Sequence, residues 1–194
     1  MKLGIIRNKV RPELAIRNSN PSIFATIFAT ISTARFTPGG GPQYLASARD
    51  SPDVAEWMVA LTRINMQRFY EQVWGWDDVA KLDELCHKDS RFFLVESRGF
   101  VHFRIEVDED GNSPVVYVYE LQVEMKHRGR KLGHALMRAV EDFGLAHGIS
   151  KIMLTVFTAN AGARRFYERL GYDTDPSSPD GAGYVILSRT DGKI

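Results

Sequence analysis

The chain has 194 residues, 44% of them hydrophobic and 25% charged, which is enough for one sizeable domain with its own core. A net charge of +1 excludes a polyelectrolyte binder, so no direct nucleic-acid partner is expected and any preference for charge must come from a local patch. The single cysteine, Cys86, excludes a disulfide within the chain, and His87, His102, His127, His134 and His147 lack metal-ligand spacing, so no metal is expected.

Residues 1–42 stand apart. Lys2, Arg7, Lys9, Arg11, Arg17, Arg35 and Arg49 face a single acid, Glu13, before Asp50. This reads as a loosely ordered basic arm, and an organelle transit peptide has the same composition. The apolar run at 23–31 is too short, and too interrupted by Thr, to span a bilayer, so no membrane partner is expected. Gly39-Gly40-Gly41-Pro42 marks the boundary with a folded domain over 43–194.

Within that domain, 44–48 is expected to form a short strand. Ser51-Pro52 opens a helix, with Ser as cap and Pro at the first position. Val54, Trp57, Met58, Leu61 and Ile64 carry it to about Tyr70. After the Trp74-Gly75-Trp76 turn a second helix is expected near 78–87. Residues 91–96 and 100–107 read as paired strands joined at 97–99, and 108–114 as a polar turn. Residues 115–124 are mostly apolar, as a central strand is. Leu132, Ala135, Leu136, Ala139, Val140 and Phe143 then make one helical face, ending near Gly148. A buried strand at 151–157 follows. Asn160 caps a short helix carrying Ala163, Phe166, Tyr167 and Leu170, stopped by Gly171. A last strand covers 184–188. The order is α/β.

The most informative stretch runs from Glu120 to Gly133: a strand, a basic glycine-containing loop, and a helix start. Backbone N–H groups and the helix dipole converge there on an anion site suited to a diphosphate, although a solvated helix start has the same look. Upstream, strand alternation puts Tyr117 and Tyr119 on one face and Val118 and Glu120 on the other. A β-bulge would bring Tyr119 and Glu120 to one cleft, where a carboxylate can take a proton from an attacking ammonium. Read alone, Glu120 is first of all an ordinary ion-pair partner near a strand end, ahead of any catalytic reading. Glu106 and Asp108 share a face by period two and form either a cation receptor or a solvated strand end.

The loop Arg128-Gly129-Arg130-Lys131-Leu132-Gly133 resembles the pyrophosphate signature of the GNAT superfamily of N-acetyltransferases, with Lys131 where a glycine is usual. Asn160-Ala161-Gly162-Ala163-Arg164-Arg165-Phe166-Tyr167-Glu168-Arg169-Leu170-Gly171-Tyr172 resembles the second motif of that superfamily. The resemblance implies a twisted mixed β-sheet flanked by helices, with acetyl-CoA between splayed central parallel strands. It assigns cofactor binding to Leu121, Gln122, Val123, Arg128, Gly129, Arg130, Lys131, Leu132, Gly133 and Asn160. It makes Tyr167 the proton donor to the leaving thiolate, and gives a backbone N–H near 121–123 to the developing oxyanion.

A narrower resemblance rests on Asn65-Met66-Gln67-Arg68-Phe69-Tyr70-Glu71-Gln72, Trp74-Gly75-Trp76, Tyr117-Val118-Tyr119-Glu120-Leu121-Gln122, Met153-Leu154-Thr155-Val156-Phe157 and Ser177-Ser178-Pro179. These blocks are similar to the N-terminal acetyltransferase D family, which acetylates core histones beginning Ser-Gly-Arg-Gly. That implies a histone or other protein amino terminus as partner, a monomer, and residence in nucleus and cytoplasm; the basic arm leaves organelle import open. Glu120 and Tyr119 would act at the reacting amine. Tyr70 and Trp74 would wall the peptide groove, with Tyr117, Thr155, Ser178 and Tyr184 on its substrate side. Glu106 and Asp108 would hold the arginine at the third peptide position. Two rivals stay open: transfer to a lysine side chain, polyamine or small amine, and a non-catalytic acyl-CoA-dependent module that binds histone tails.

Overall fold

The computed structural model describes residues 42–95, 97–108, 111 and 113–190, so all but the last residue of the expected basic arm lies outside the described residues. The elements are β1 (Gln43–Leu45), α1 (Pro52–Val73), α2 (Asp78–Leu85), β2 (Arg91–Val95), β3 (Gly99–Val107), β4 (Pro114–Val123), a 3₁₀ turn at Met125–His127, α3 (Leu132–Ala146), β5 (Lys151–Phe157), α4 (Ala161–Arg169), β6 (Asp173–Thr174) and β7 (Tyr184–Thr190). The seven strands form one sheet in the order β1-β2-β3-β4-β5-β7-β6. Only β4 and β5 pair in parallel; the other neighbours are antiparallel. This is the expected mixed sheet flanked by helices.

Local chemistry explains most boundaries. Pro52 starts α1, where its missing N–H costs no helical bond, while Ser51 makes no side-chain capping bond, contrary to expectation. The α2 helix is capped instead by Asp77, whose carboxylate accepts from the N–H groups of Val79 and Ala80 at 2.8 and 3.0 Å. Asn160 caps α4 as expected, accepting from the Ala163 N–H at 3.2 Å. The two-residue β6 is too short to leave a pattern in the sequence.

Helices α1 and α2 cover one face of the sheet through Met58, Leu61, Leu85, Phe92 and Phe100. Helix α3 covers the other, burying Leu136, Val140 and Phe143 against Val116, Val118, Ile152 and Leu154. Each such side chain contributes about 1.5–3 kcal/mol on burial.

Two irregularities in the sheet's centre position everything functional. The first is a β-bulge in β4. His102 pairs with Glu120 and Phe103 pairs with Val118, so Tyr119 is the extra residue. Before it, Val116 and Val118 face α3; after it, Leu121 and Val123 do. The bulge therefore turns Tyr119, Glu120 and Gln122 to the α1 side together, where strict alternation would send Glu120 into the α3 core. The second is the end of the parallel ladder. Strands β4 and β5 pair only from Val116↔Ile152 to Val118↔Leu154, although they continue to Val123 and Phe157. Beyond that point they part into a wedge.

Candidate active site

The wedge opens into two connected spaces. The outer one is a groove of about 500 Å³ lined by Arg128, Gly129, Lys131, Leu132, Gly133 and residues of α1 and α4. That is the size of a small-molecule site. The inner one is a pocket of about 80 Å³ lined by Tyr70, Trp74, Glu84, Tyr119, Glu120 and Thr155, among others. It has room for a small group only. Leu121, Gln122, Asn160, Ala163 and Tyr167 border both, so these residues mark the passage between them.

The loop end of the groove has features that suit an anion. No side chain caps the first turn of α3, leaving its N–H groups to face the loop. Gly129 has φ +73°, and a Cβ on Gly133 would stand 3.2 Å from the Phe166 ring. Lys131 also sits in the left-handed region, at φ +62°. That conformation explains why glycine is usual here, and a lysine in it carries a penalty of about 1–2 kcal/mol. Arg128 is anchored along the groove wall, donating from Nη2 to Asn65 Oδ1 at 2.6 Å and from Nε to the Val123 carbonyl at 3.2 Å. Arg130 is exposed and does not line the groove.

The inner pocket is organised around Glu120, which is 4% exposed. Its Oε1 accepts from the Tyr70 hydroxyl at 2.6 Å and from Lys81 Nζ at 2.7 Å; its Oε2 accepts from Gln122 Nε2 at 2.7 Å. A carboxylate offers about four acceptor positions, so these bonds leave one open, on Oε2. Burial, together with the Glu120 charge, pushes the Tyr70 phenol well above its ordinary range. Burial and then Glu120 do the same for Tyr167. Both phenols therefore stay protonated at neutral pH and act as donors. Burial works against the Lys81 ammonium, but the Glu120 and Glu84 carboxylates outweigh it and hold its pKa well above the usual lysine value.

The residues read as substrate-side divide. Tyr70, Trp74 and Thr155 line the inner pocket. Tyr184 backs Trp74, with ring centroids 5.1 Å apart. Tyr117 is buried behind the pocket, its hydroxyl bonded to Thr155 Oγ1 at 2.6 Å. Ser178 is engaged elsewhere, its Oγ accepting from the Ile186 N–H at 3.0 Å. Tyr119 donates its hydroxyl to Glu106, and the Arg104 guanidinium lies 4.3 Å above its ring. The expectation that Glu106 and Asp108 form one cation receptor is corrected. Asp108 lies past the end of β3 and holds Lys151 Nζ at 2.8 Å, while Glu106 faces Tyr119. Lys81 and Glu84 were missed by sequence reasoning. The available signal was a lysine four residues before the core residue Leu85, hence on the buried stripe of a short helix.

A basic loop at a helix start, a bulged central strand and a parted parallel pair meet at one wedge. The profile described as the Acetyltransferase (GNAT) family matches residues 52–172, more than half the chain. The chain belongs to this family. N-alpha-acetyltransferase 40 of Saccharomyces cerevisiae is 34% identical over 102 residues, covering 49% of this chain and 35% of that protein. Mycothiol acetyltransferase of Thermobispora bispora is 31% identical over 130 residues, covering 62% of this chain and 43% of that protein. The chain thus spans less than half the length of the curated relatives it matches. The crystal structure of Arabidopsis thaliana NAA60 in complex with a bisubstrate analogue superposes with a TM-score of 0.57 over 78% of this chain and 99% of that one. At 14% identity this likeness shows the GNAT fold.

Proposed function

We propose that this GNAT acetyltransferase moves an acetyl group from acetyl-CoA to the free amino terminus of a protein, with core histones beginning Ser-Gly-Arg-Gly as the first candidates. The observation that carries the reading is the buried Glu120 carboxylate, turned by the bulge into a small pocket that opens on a diphosphate-sized groove. The similarity to yeast N-alpha-acetyltransferase 40 supports the α-amine as acceptor.

The residues present suit the co-substrate. The loop N–H groups, Arg128 and Lys131 offer positive potential for a diphosphate, and Asn160 borders the path inward. Acetyl-CoA supplies the activated thioester. Backbone N–H groups of 121–123, beyond the end of the β4–β5 ladder, would be the donors to the developing oxyanion. An amino-terminal ammonium has a pKa of about 7.7–8.0, so a modest acceptor suffices to deprotonate it. Glu120 Oε2 is that acceptor, directly or through a water. Tyr167, kept protonated at the passage, delivers a proton to the departing sulfur. With Asp108 committed to Lys151, recognition of a basic third residue falls to Glu106 and to Glu84 at the pocket. Residence in nucleus and cytoplasm is part of the same proposal, since that is where such substrates would be met.

Mycothiol acetyltransferase favours a second reading, a small amine as acceptor. An array of peptides with varied free amino termini and labelled acetyl-CoA separates the two. Transfer to unblocked amino termini, lost on blocking the α-amine, supports the first. Transfer to small amines with no labelled peptide overturns it.

A further inference from the structure

Lys81 is 5% exposed on α2, yet it carries an ammonium. Its Nζ lies 2.7 Å from Glu120 Oε1, 2.8 Å from Glu84 Oε1 and 2.8 Å from the Tyr70 hydroxyl, and 4.7 Å from the centroid of the Tyr70 ring. Burying an ion pair seldom stabilises a fold more than apolar packing of the same volume, so stability alone gives no reason for this lysine. The groups bonded to the Glu120 carboxylate are Tyr70 from α1, Lys81 from α2 and Gln122 from β4 itself; Glu84 lies beyond Lys81 and Tyr167 from α4 acts on it electrostatically, while the cross-strand neighbour His102 is bonded to Ser90 and Tyr119 to Glu106. Among the described residues the cation paired with Glu120 is Lys81.

We infer that Lys81 is a positioning residue for acetyl transfer: its ammonium locks Glu120 so that Oε2 is the oxygen presented to the acceptor amine. This rests on the amine-acetylating role proposed above. Lys81 and Tyr70 fill the acceptor positions of Oε1, and Gln122 takes one of the two on Oε2. The same ammonium sets the charge of the pocket. Two carboxylates, Glu84 and Glu120, and one ammonium leave a single net negative charge, matched to one incoming ammonium. Without Lys81 the partner that holds Oε1 is gone, and the carboxylate is free to rotate away from the acceptor amine.

The test is the pH dependence of peptide acetylation by wild type, Lys81→Met and Lys81→Arg from pH 6 to pH 9.5. Lys81→Met is expected to lose about 10²-fold in kcat at pH 7, the scale of a misplaced reacting group, with a smaller change in KM. The deficit narrows as pH rises above about 8, because the acceptor amine is then already neutral and no longer needs a placed carboxylate. Lys81→Arg restores the wild-type profile. An equal fractional loss at every pH, or an unchanged kcat at pH 7, overturns the inference. Should Lys81→Met be too unstable to assay, Lys81→Gln carries the same expectation. A stability cycle is independent of the acceptor: Lys81→Met lowers Tm at pH 8, and Lys81→Met/Glu120→Gln recovers most of the loss. No recovery also overturns the inference. If wild type acetylates no amine at all, the functional reading falls, while the cycle still decides whether Lys81 acts on Glu120.

Discussion

The groove and the inner pocket meet at one wedge but are made in opposite ways. The anion end of the groove is local: one loop and one helix start whose N–H groups no side chain caps, set against neighbours from α1 and α4. The pocket is assembled from afar. Glu120 is joined to Tyr70 across 50 residues of sequence and to Lys81 across 39, and its contacts are side chain to side chain. A site built from backbone tolerates substitution, as Lys131 in a glycine position shows. A buried network of charges does not, because removing one member leaves the others unpaired in a medium that cannot screen them.

Substitutions should therefore hurt most in the pocket and least in the loop. The largest effect is expected for Glu120→Gln, which keeps the shape and removes the proton acceptor. Turnover should fall by about 10²–10⁴ at neutral pH, and the deficit should shrink above pH 8, where the acceptor amine is already neutral. Steady-state rates against pH check this, and wild-type turnover at pH 7 would remove Glu120 from the role.

Tyr167 stands at the passage between the two spaces. Tyr167→Phe should cost about 10²-fold in kcat, with little change in the KM for acetyl-CoA, since the ring remains and only the proton donor is lost. A matching rise in KM would place Tyr167 in binding instead.

The groove is sharpened by ligand binding. At about a hundred times its dissociation constant, acetyl-CoA should stabilise the fold by about 2.7 kcal/mol, and CoA likewise. Pantetheine, which has no diphosphate, should give little shift in thermal unfolding. Equal shifts from all three would mean that the loop contributes no anion recognition.

The smallest effect is expected at Lys131. Lys131→Gly removes a left-handed penalty of about 1–2 kcal/mol and adds about 0.4–1 kcal/mol of unfolded-state entropy, for a net gain of up to about 1.6 kcal/mol. Tm should rise by about 3–6 °C at most, and Lys131→Ala, still left-handed, should show no gain.

The same division explains what the sequence revealed. The loop, α3, β5 and the Asn160 cap were legible because each depends on neighbours within a turn or two: apolar period, a capping side chain, a glycine stop. The bulge at Tyr119 could be anticipated only as a requirement, since nothing within β4 distinguishes it from regular alternation. Its position comes from the register with β3, where Phe103 meets Val118. Asp108 was misread because period two holds only while the strand lasts, and β3 ends at Val107. Lys81 and Glu84 went unseen because a lysine and a glutamate on a short helix ordinarily face water. Only tertiary packing turns that face of α2 onto Glu120.

The account's central claim is that groove and pocket form one path, with the diphosphate at one end and the acceptor amine at the other. A crystal structure with a bisubstrate analogue, CoA joined to the α-nitrogen of a Ser-Gly-Arg-Gly peptide, tests this most directly. The predicted result is a diphosphate against the N–H groups of Gly129 to Gly133, with the peptide nitrogen facing Glu120 Oε2 between Tyr70 and Tyr167. A diphosphate bound away from that loop, or a peptide nitrogen lying outside the inner pocket, contradicts it.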